Sequence, residues 1–164
     1  MSTNLFSGIP DQFPALKKDM WSIIFPQSMG ISERFQVSAS RPKINNSEVA
    51  VKYKQSTFYY KGTTTVDPIT ITFRDVVGPA VMQKLWQWQK EHYDFTTGCG
   101  GYPAQYKKNL VLLMEDDCGN AVQKWILYGA FITNIDGGDL NMESQNEIAT
   151  VSITVRYDWP DLVF

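Results

Sequence analysis

The stretch Glu147–Trp159, EIATVSITVRYDW, alternates apolar and polar residues almost without interruption. Ala149, Val151, Ile153, Val155, Tyr157 and Trp159 share one parity; Thr150, Ser152, Thr154, Arg156 and Asp158 share the other. A period of two over this length marks a β-strand with two distinct faces. The apolar face is made for a core. The other carries mostly short hydroxyls rather than the Lys and Glu of an ordinary solvated surface. Thr has good β propensity, so plain exposed sheet is one account of it.

The same pattern recurs upstream in DPITITFRD, Asp67–Asp75, where Ile69, Ile71 and Phe73 oppose Thr70, Thr72 and Arg74. A weaker case is ERFQVSAS, with Phe35, Val37 and Ala39 against Gln36, Ser38 and Ser40. A second account is a water-filled passage, whose wall needs short, uncharged side chains. A small barrel fills its own interior, so a wide passage needs more strands than one such chain supplies. A ring of copies would supply them, and would also pair the open sheet edges that invite aggregation.

Around these strands the chain reads as mainly β. DMWSIIFP is a strand ended by Pro26, and RPKINNSE breaks the pattern. Val49 to Thr65 mixes β-branched and aromatic residues with three lysines and keeps no single parity. This predicts an extended arm, bent near Gln55–Ser56 or Lys61–Gly62, rather than a half-buried strand. One helix is expected. It opens at Gly78–Pro79, carries Val81, Leu85, Trp88 and His92 with Met82 and Trp86 on a buried stripe, and ends near Asp94 before the loop TTGCGGYP. YKKNLVLLMEDD and AVQKWILYGAFITNI form a hairpin about Cys118–Asn120, Asp136–Gly138 is a turn, and DLNMES a short strand. The expectation is one domain over residues 1–164, of roughly six to eight strands, with residues 1–18 an N-terminal arm.

Composition excludes several functions. The chain of 164 residues is 43% hydrophobic and 20% charged, as a folded domain is. A net charge of -2 argues against gripping nucleic acid by its phosphates. No leader peptide and no run of about 18 apolar residues is recognised, so the chain is expected to stay in a cytoplasm on synthesis, with no membrane insertion. Cys99 and Cys118 are expected as free thiols, and His92, the sole histidine, as a satisfied structural residue. The acids Glu115–Asp117 and Asp136/Asp139 lack calcium-loop spacing. No catalytic, metal or cofactor constellation is found, and no enzyme activity is expected.

Four stretches together resemble the tail tube proteins of contractile-tailed bacteriophages: DPITITFRD, the helix with LWQWQ, GGYPAQYKKNLVLLM, and LYGAFITNIDGGDLNMESQNEIATVSITVRYDW. The likeness runs from about Asp19 to Trp159, leaving Met1–Lys18 and the closing PDLVF unmatched. It implies a β-sandwich or barrel-like subunit with one flanking helix, forming hexameric rings that stack into a tube. Strands of each subunit would join a continuous inner β-barrel through which DNA and the tape-measure protein pass without specific binding. Sheath and baseplate proteins would be further partners, the virion tail the location, and the host cytoplasm the place of assembly. Carried onto this chain, Thr70, Thr72, Ser152 and Thr154 become lumen candidates, with Arg74 and Arg156 paired to carboxylates such as Asp75 and Asp158. The arm 49–65 becomes a subunit-to-subunit and ring-to-ring contact, with Tyr53, Phe58, Tyr59 and Tyr60 as anchors. The alternatives are a tube initiator or terminator, a secretion-system tube protein, or a monomeric small β-barrel that binds a ligand.

Overall fold

A computed structural model describes residues 15–78 and 80–164. Its strands are β1 (Trp21–Ile24), β2 (Gln36–Ala39), β3 (Ile44–Tyr53), β4 (Ser56–Val66), β5 (Ile69–Arg74), β6 (Tyr93–Asp94), β7 (Cys99–Gly100), β8 (Lys108–Glu115), β9 (Ala121–Asp136), β10 (Thr150–Arg156) and β11 (Trp159–Leu162). Helix α1 (Val81–His92) lies between β5 and β6, and a single turn, α2 (Pro103–Tyr106), precedes β8. Seven strands form one sheet in the order β1-β8-β9-β10-β5-β2, with β11 also on β9. The β3–β4 hairpin stands apart from it.

The sheet folds on itself because β9 is long enough to serve two halves. Its Trp125–Tyr128 segment lies between β8 and β11, whereas Phe131–Asp136 pairs with β10. Gly129 sits at the corner with φ +63, a conformation L side chains rarely adopt. A Cβ there would collide with the Asp158 carboxylate. The neighbouring strand turns at the same level, where Asp158 N donates to Tyr128 O (2.9 Å) between β10 and β11.

The two halves and α1 enclose a common core. One half contributes Ile23, Leu110, Leu112 and Leu127; the other contributes Ile69, Ile71, Phe73, Val151, Ile153 and Val155. Val81, Leu85 and Trp88 of α1 cover it, and Phe25 packs against both Phe73 (5.8 Å between centroids) and Trp88 (6.4 Å). Each such aliphatic side chain contributes about 1.5–3 kcal/mol by leaving water. The halves do not close into a barrel by backbone pairing. Instead the Gln36 amide bridges their outer strands: Ile23 N donates to its Oε1 (2.8 Å), and its Nε2 donates to Ile23 O (2.6 Å).

The architecture is the mainly β fold with one principal helix that the alternation predicts, with differences at particular elements. The strand expected over 148–159 is β10 alone, and Ala149 and Trp159, assigned to the apolar face, are exposed. After Tyr157 the chain crosses to the other half, so parity no longer carries over. RPKINNSE is not a break throughout, since β3 already begins at Ile44. No strand forms at DLNMES, which remains loop. Helix α1 starts at Val81 and ends at His92, two residues short of Asp94, where the chain extends into β6. Pro79 and residues 1–14 of the N-terminal arm lie outside the described residues, and residues 15–18 are exposed and irregular.

Candidate channel wall and contact surfaces

The half containing β9, β10, β5 and β2 presents its core side chains to one face and hydroxyls to the other. Register places the polar residues in two rows across all four strands. Asp136, Ser152, Thr72 and Ser38 stand side by side. Asn134, Thr154 and Thr70 form the next row, continued by Ser40. Thr72 Oγ1 and Ser152 Oγ share a hydrogen bond of 3.1 Å, and Ser40 Oγ accepts from Thr70 N (2.9 Å). The lumen candidates Thr70, Thr72, Ser152 and Thr154 are therefore brought together on one face, two on each central strand.

Two bulges decide who joins them. An extra residue in β2 between Gln36 and Ser38 leaves Val37 exposed and turns Ser38 beside Thr72. Gln36 is thereby directed to the seam with Ile23, not to the polar face where strict alternation put it. A second irregularity, opposite Thr154/Val155, aligns Asn134 and Asp136 with the rows. Sequence reading missed these two because apolar Ile132 and Ile135 are spaced by three within a strand. That spacing is itself the sign of a bulge.

The rows hold one carboxylate, Asp136, and no cation. Arg74 and Arg156 flank them, opposite Thr150 and Phe131. The expected pairing of Arg156 with Asp158 is not formed, because both Asp158 oxygens accept from Lys107 Nζ at 2.8 Å. Asp75 Oδ1 accepts from the Val76 amide instead of from Arg74. His92 also differs from expectation. It packs against Tyr106 (4.8 Å) and Phe131 (5.9 Å), yet its Nδ1 is buried without a hydrogen-bond partner. Cys99 and Cys118 are exposed free thiols.

The second surface is the hairpin. β3 and β4 pair from Ile44↔Val66 to Tyr53↔Ser56, turning through Lys54 at φ +53. A bulge between Asn46 and Glu48 places Ser47 against Gly62, where a Cβ would stand 2.9 Å from the Ser47 carbonyl oxygen. Tyr53, Phe58, Tyr59 and Tyr60 are 62%, 54%, 64% and 63% exposed. A two-stranded ribbon with no packed face is marginal in water. Its aromatics are thus surface rather than core.

Hairpin and hydroxyl sheet have a fixed spatial relation. The hairpin leaves between Ala39 and Ile69, at the Thr70/Thr154 end of the strands. Residues 137–149 leave between Asp136 and Thr150, at the opposite end, beside Arg74. Among the described residues, two backbone edges of this half are open. β2 pairs only with β5, and the Phe131–Asp136 segment of β9 pairs only with β10.

Comparison with known proteins bears on this arrangement at two levels. The profile of the T4-like virus tail tube protein gp19 family matches residues 32–159. The tail tube protein gp19 of Enterobacteria phage T6 is 28% identical over 135 residues, covering 79% of this chain and 72% of the phage protein, and that of Enterobacteria phage T4 gives the same figures. Among solved structures, the tube-terminating cap of the anti-feeding prophage superposes with a TM-score of 0.74 at 18% identity, covering 98% of each chain. A chain of the sheath-tube complex of the PVC extracellular contractile injection system gives 0.71 at 19% identity, again covering 98% of each. Hcp1 from Flavobacterium johnsoniae gives 0.54 at 10% identity, covering 88% of this chain and 94% of that one. These structures share the fold, and the sequence match does the rest: from the 3-10 turn before β2 to the first residue of β11, the chain belongs to the T4-like virus tail tube protein family.

Proposed function

We propose that copies of this tail tube protein join edge to edge into hexameric rings, so that their hydroxyl faces line a continuous channel. The observation that carries this reading is the pair of polar rows spanning four strands whose two outer edges are both unpaired among the described residues. β2 of one subunit pairs with β9 of the next, which removes the open edges. The rings stack into the tail tube, with the tape-measure protein inside it and DNA passing later on ejection. The sheath surrounds the tube and the baseplate starts it, in assembly within the host cytoplasm.

A lumen of this kind suits sliding. Phosphate contacts from Lys and Arg supply most sequence-independent affinity for DNA. Between Arg74 and Arg156, which stand at the two ends of this face, the rows offer hydroxyls, an amide and a lone carboxylate with none of that attraction, so DNA passes them without being held. The hairpin, anchored by Tyr53, Phe58, Tyr59 and Tyr60, secures neighbouring copies. Electron microscopy of the purified chain across a concentration series tests the reading. Hollow rings or tubes are the expected result, and compact monomers at every concentration would overturn it. Rings that never extend would assign the chain a tube-terminating role instead.

A further inference from the structure

The folded sheet ends, among the described residues, on four strand edges. β2 and the Phe131–Asp136 segment of β9 bound the hydroxyl half, and β1 and β11 bound the other. An edge strand offers a row of backbone donors and acceptors with which another chain can pair. The four edges differ in what they offer. On β1, both outward groups of the buried Ile23 are taken by the Gln36 amide. On β11 the obstacle is covalent. Val163 N donates to Lys124 O (2.8 Å), and the register runs without a shift from Trp159↔Tyr128 to Leu162↔Trp125. Alternation then turns the backbone of Asp161 towards β9 and that of Pro160 and Leu162 away from it. Pro160 thus sets a pyrrolidine where the outward row needs an N–H. A proline turned towards β9 would cost the ladder a bond, whereas in this orientation it costs the fold none. The edges of the hydroxyl half, Gln36–Ala39 and Phe131–Asp136, contain no proline.

The β11 edge has reason to be closed. Trp159, Leu162, Val163 and Phe164 are all exposed along it, and an open edge with apolar flanks is a template for aggregation. Two copies pairing β11 to β11 would also make an isologous contact, which closes on itself and withdraws both from a ring. We infer that Pro160 determines the specificity of assembly, by withholding the β11 edge so that copies join only through the hydroxyl half. This rests on the edge-to-edge reading above and supplies the reason that the other half stays out of the wall.

The test is Pro160→Thr in the full chain, which restores the outward N–H and takes no bond from β9. Its thermal midpoint should stay within a few degrees of wild type. The lowest concentration at which the chain associates outside tubes, read by light scattering and electron microscopy, should fall about tenfold, since each of two copies regains a donor for the pairing. A threshold equal to that of wild type overturns the inference. So does a midpoint lowered by about 10 °C or more, which would make Pro160 a part of the fold rather than a guard of its edge. Wild type that forms no rings, while Pro160→Thr still self-associates at about tenfold lower concentration, overturns the edge-to-edge reading and leaves the closed β11 edge standing.

Discussion

Gln36 takes over, with one side-chain amide, a task that elsewhere in the molecule falls to a strand. Ile23 is fully buried, and both of its outward backbone groups end on this amide. Gln36→Leu keeps much of the volume but leaves a buried donor and acceptor unpaired, which costs about 1–3 kcal/mol. Urea denaturation should report that loss, and an unchanged midpoint would mean the seam is wetted and the amide dispensable. Gly129 is the second residue on which the fold turns. Gly129→Ala combines backbone strain with the collision against Asp158 and should destabilise by about 2 kcal/mol. Adding Asp158→Ala removes the collision alone. The double variant should recover part of the loss in the same denaturation experiment, and no recovery would assign the whole effect to the backbone.

At the level of elements, the β8–β9 turn and the β3–β4 hairpin contrast. The turn is held by Asp116, whose carboxylate accepts from Cys118 N (2.9 Å), Asn120 N (2.8 Å) and Asn120 Nδ2 (3.1 Å). The Asn120 amides hold the Asp116 carboxyl below its ordinary range. A depressed carboxyl contributes order above the unfolded value of about 4, and that contribution is lost as pH falls through the lower folded value. Exchange protection of the Asn120 amide should fall in that acid window, and Asp116→Ala should abolish it at neutral pH. The hairpin has no such dependence on the core. Replacing residues 47–61 by a short turn should leave the thermal midpoint within a few degrees, while tubes fail to form in the electron microscope. A collapse of the midpoint would place the hairpin in the folding unit. Legibility follows the same contrast. Strands buried on one face, such as β5 and β10, announce themselves by alternation, because burial selects every second residue. The hairpin is exposed on both faces, so nothing constrained its parity, and the start at Ile44 was hidden among Asn and Ser.

For the whole molecule, the readable part of the wall was its two central strands and, more weakly, Ser38 and Ser40. Thr70, Thr72, Ser152 and Thr154 lie on clean alternation and Ser38 on the weaker alternation of β2, whereas Asn134 and Asp136 reach the same face only through a bulge that shifts parity. If those rows line a channel, Thr72→Arg or Thr154→Arg adds a ring of cations without touching the core. Tubes should then assemble as wild type, and DNA release from particles should be impaired, most at low salt where phosphate binding is strongest. Normal release would remove these residues from the lumen. Variants that fail to fold would mean the face is buried.

The sharing of β9 between both halves has a consequence for the order of events during synthesis. The hairpin pairs residues close in sequence, from Tyr53↔Ser56 outward, so it can zip as soon as it emerges. β1 must wait for β8, with Trp21 opposite Met114, and β5 must wait for β10, with Ile69 opposite Val155. The free edge of β9 and the acidic loop after it emerge long after the hairpin, just ahead of β10. A nascent chain thus displays its exposed hairpin long before it owns the sheet and its polar rows. Growth of a polymer is withheld from unfinished chains, and the ribosome's own pace, roughly 5–20 residues per second, becomes the timer that keeps polysomes from being stitched together.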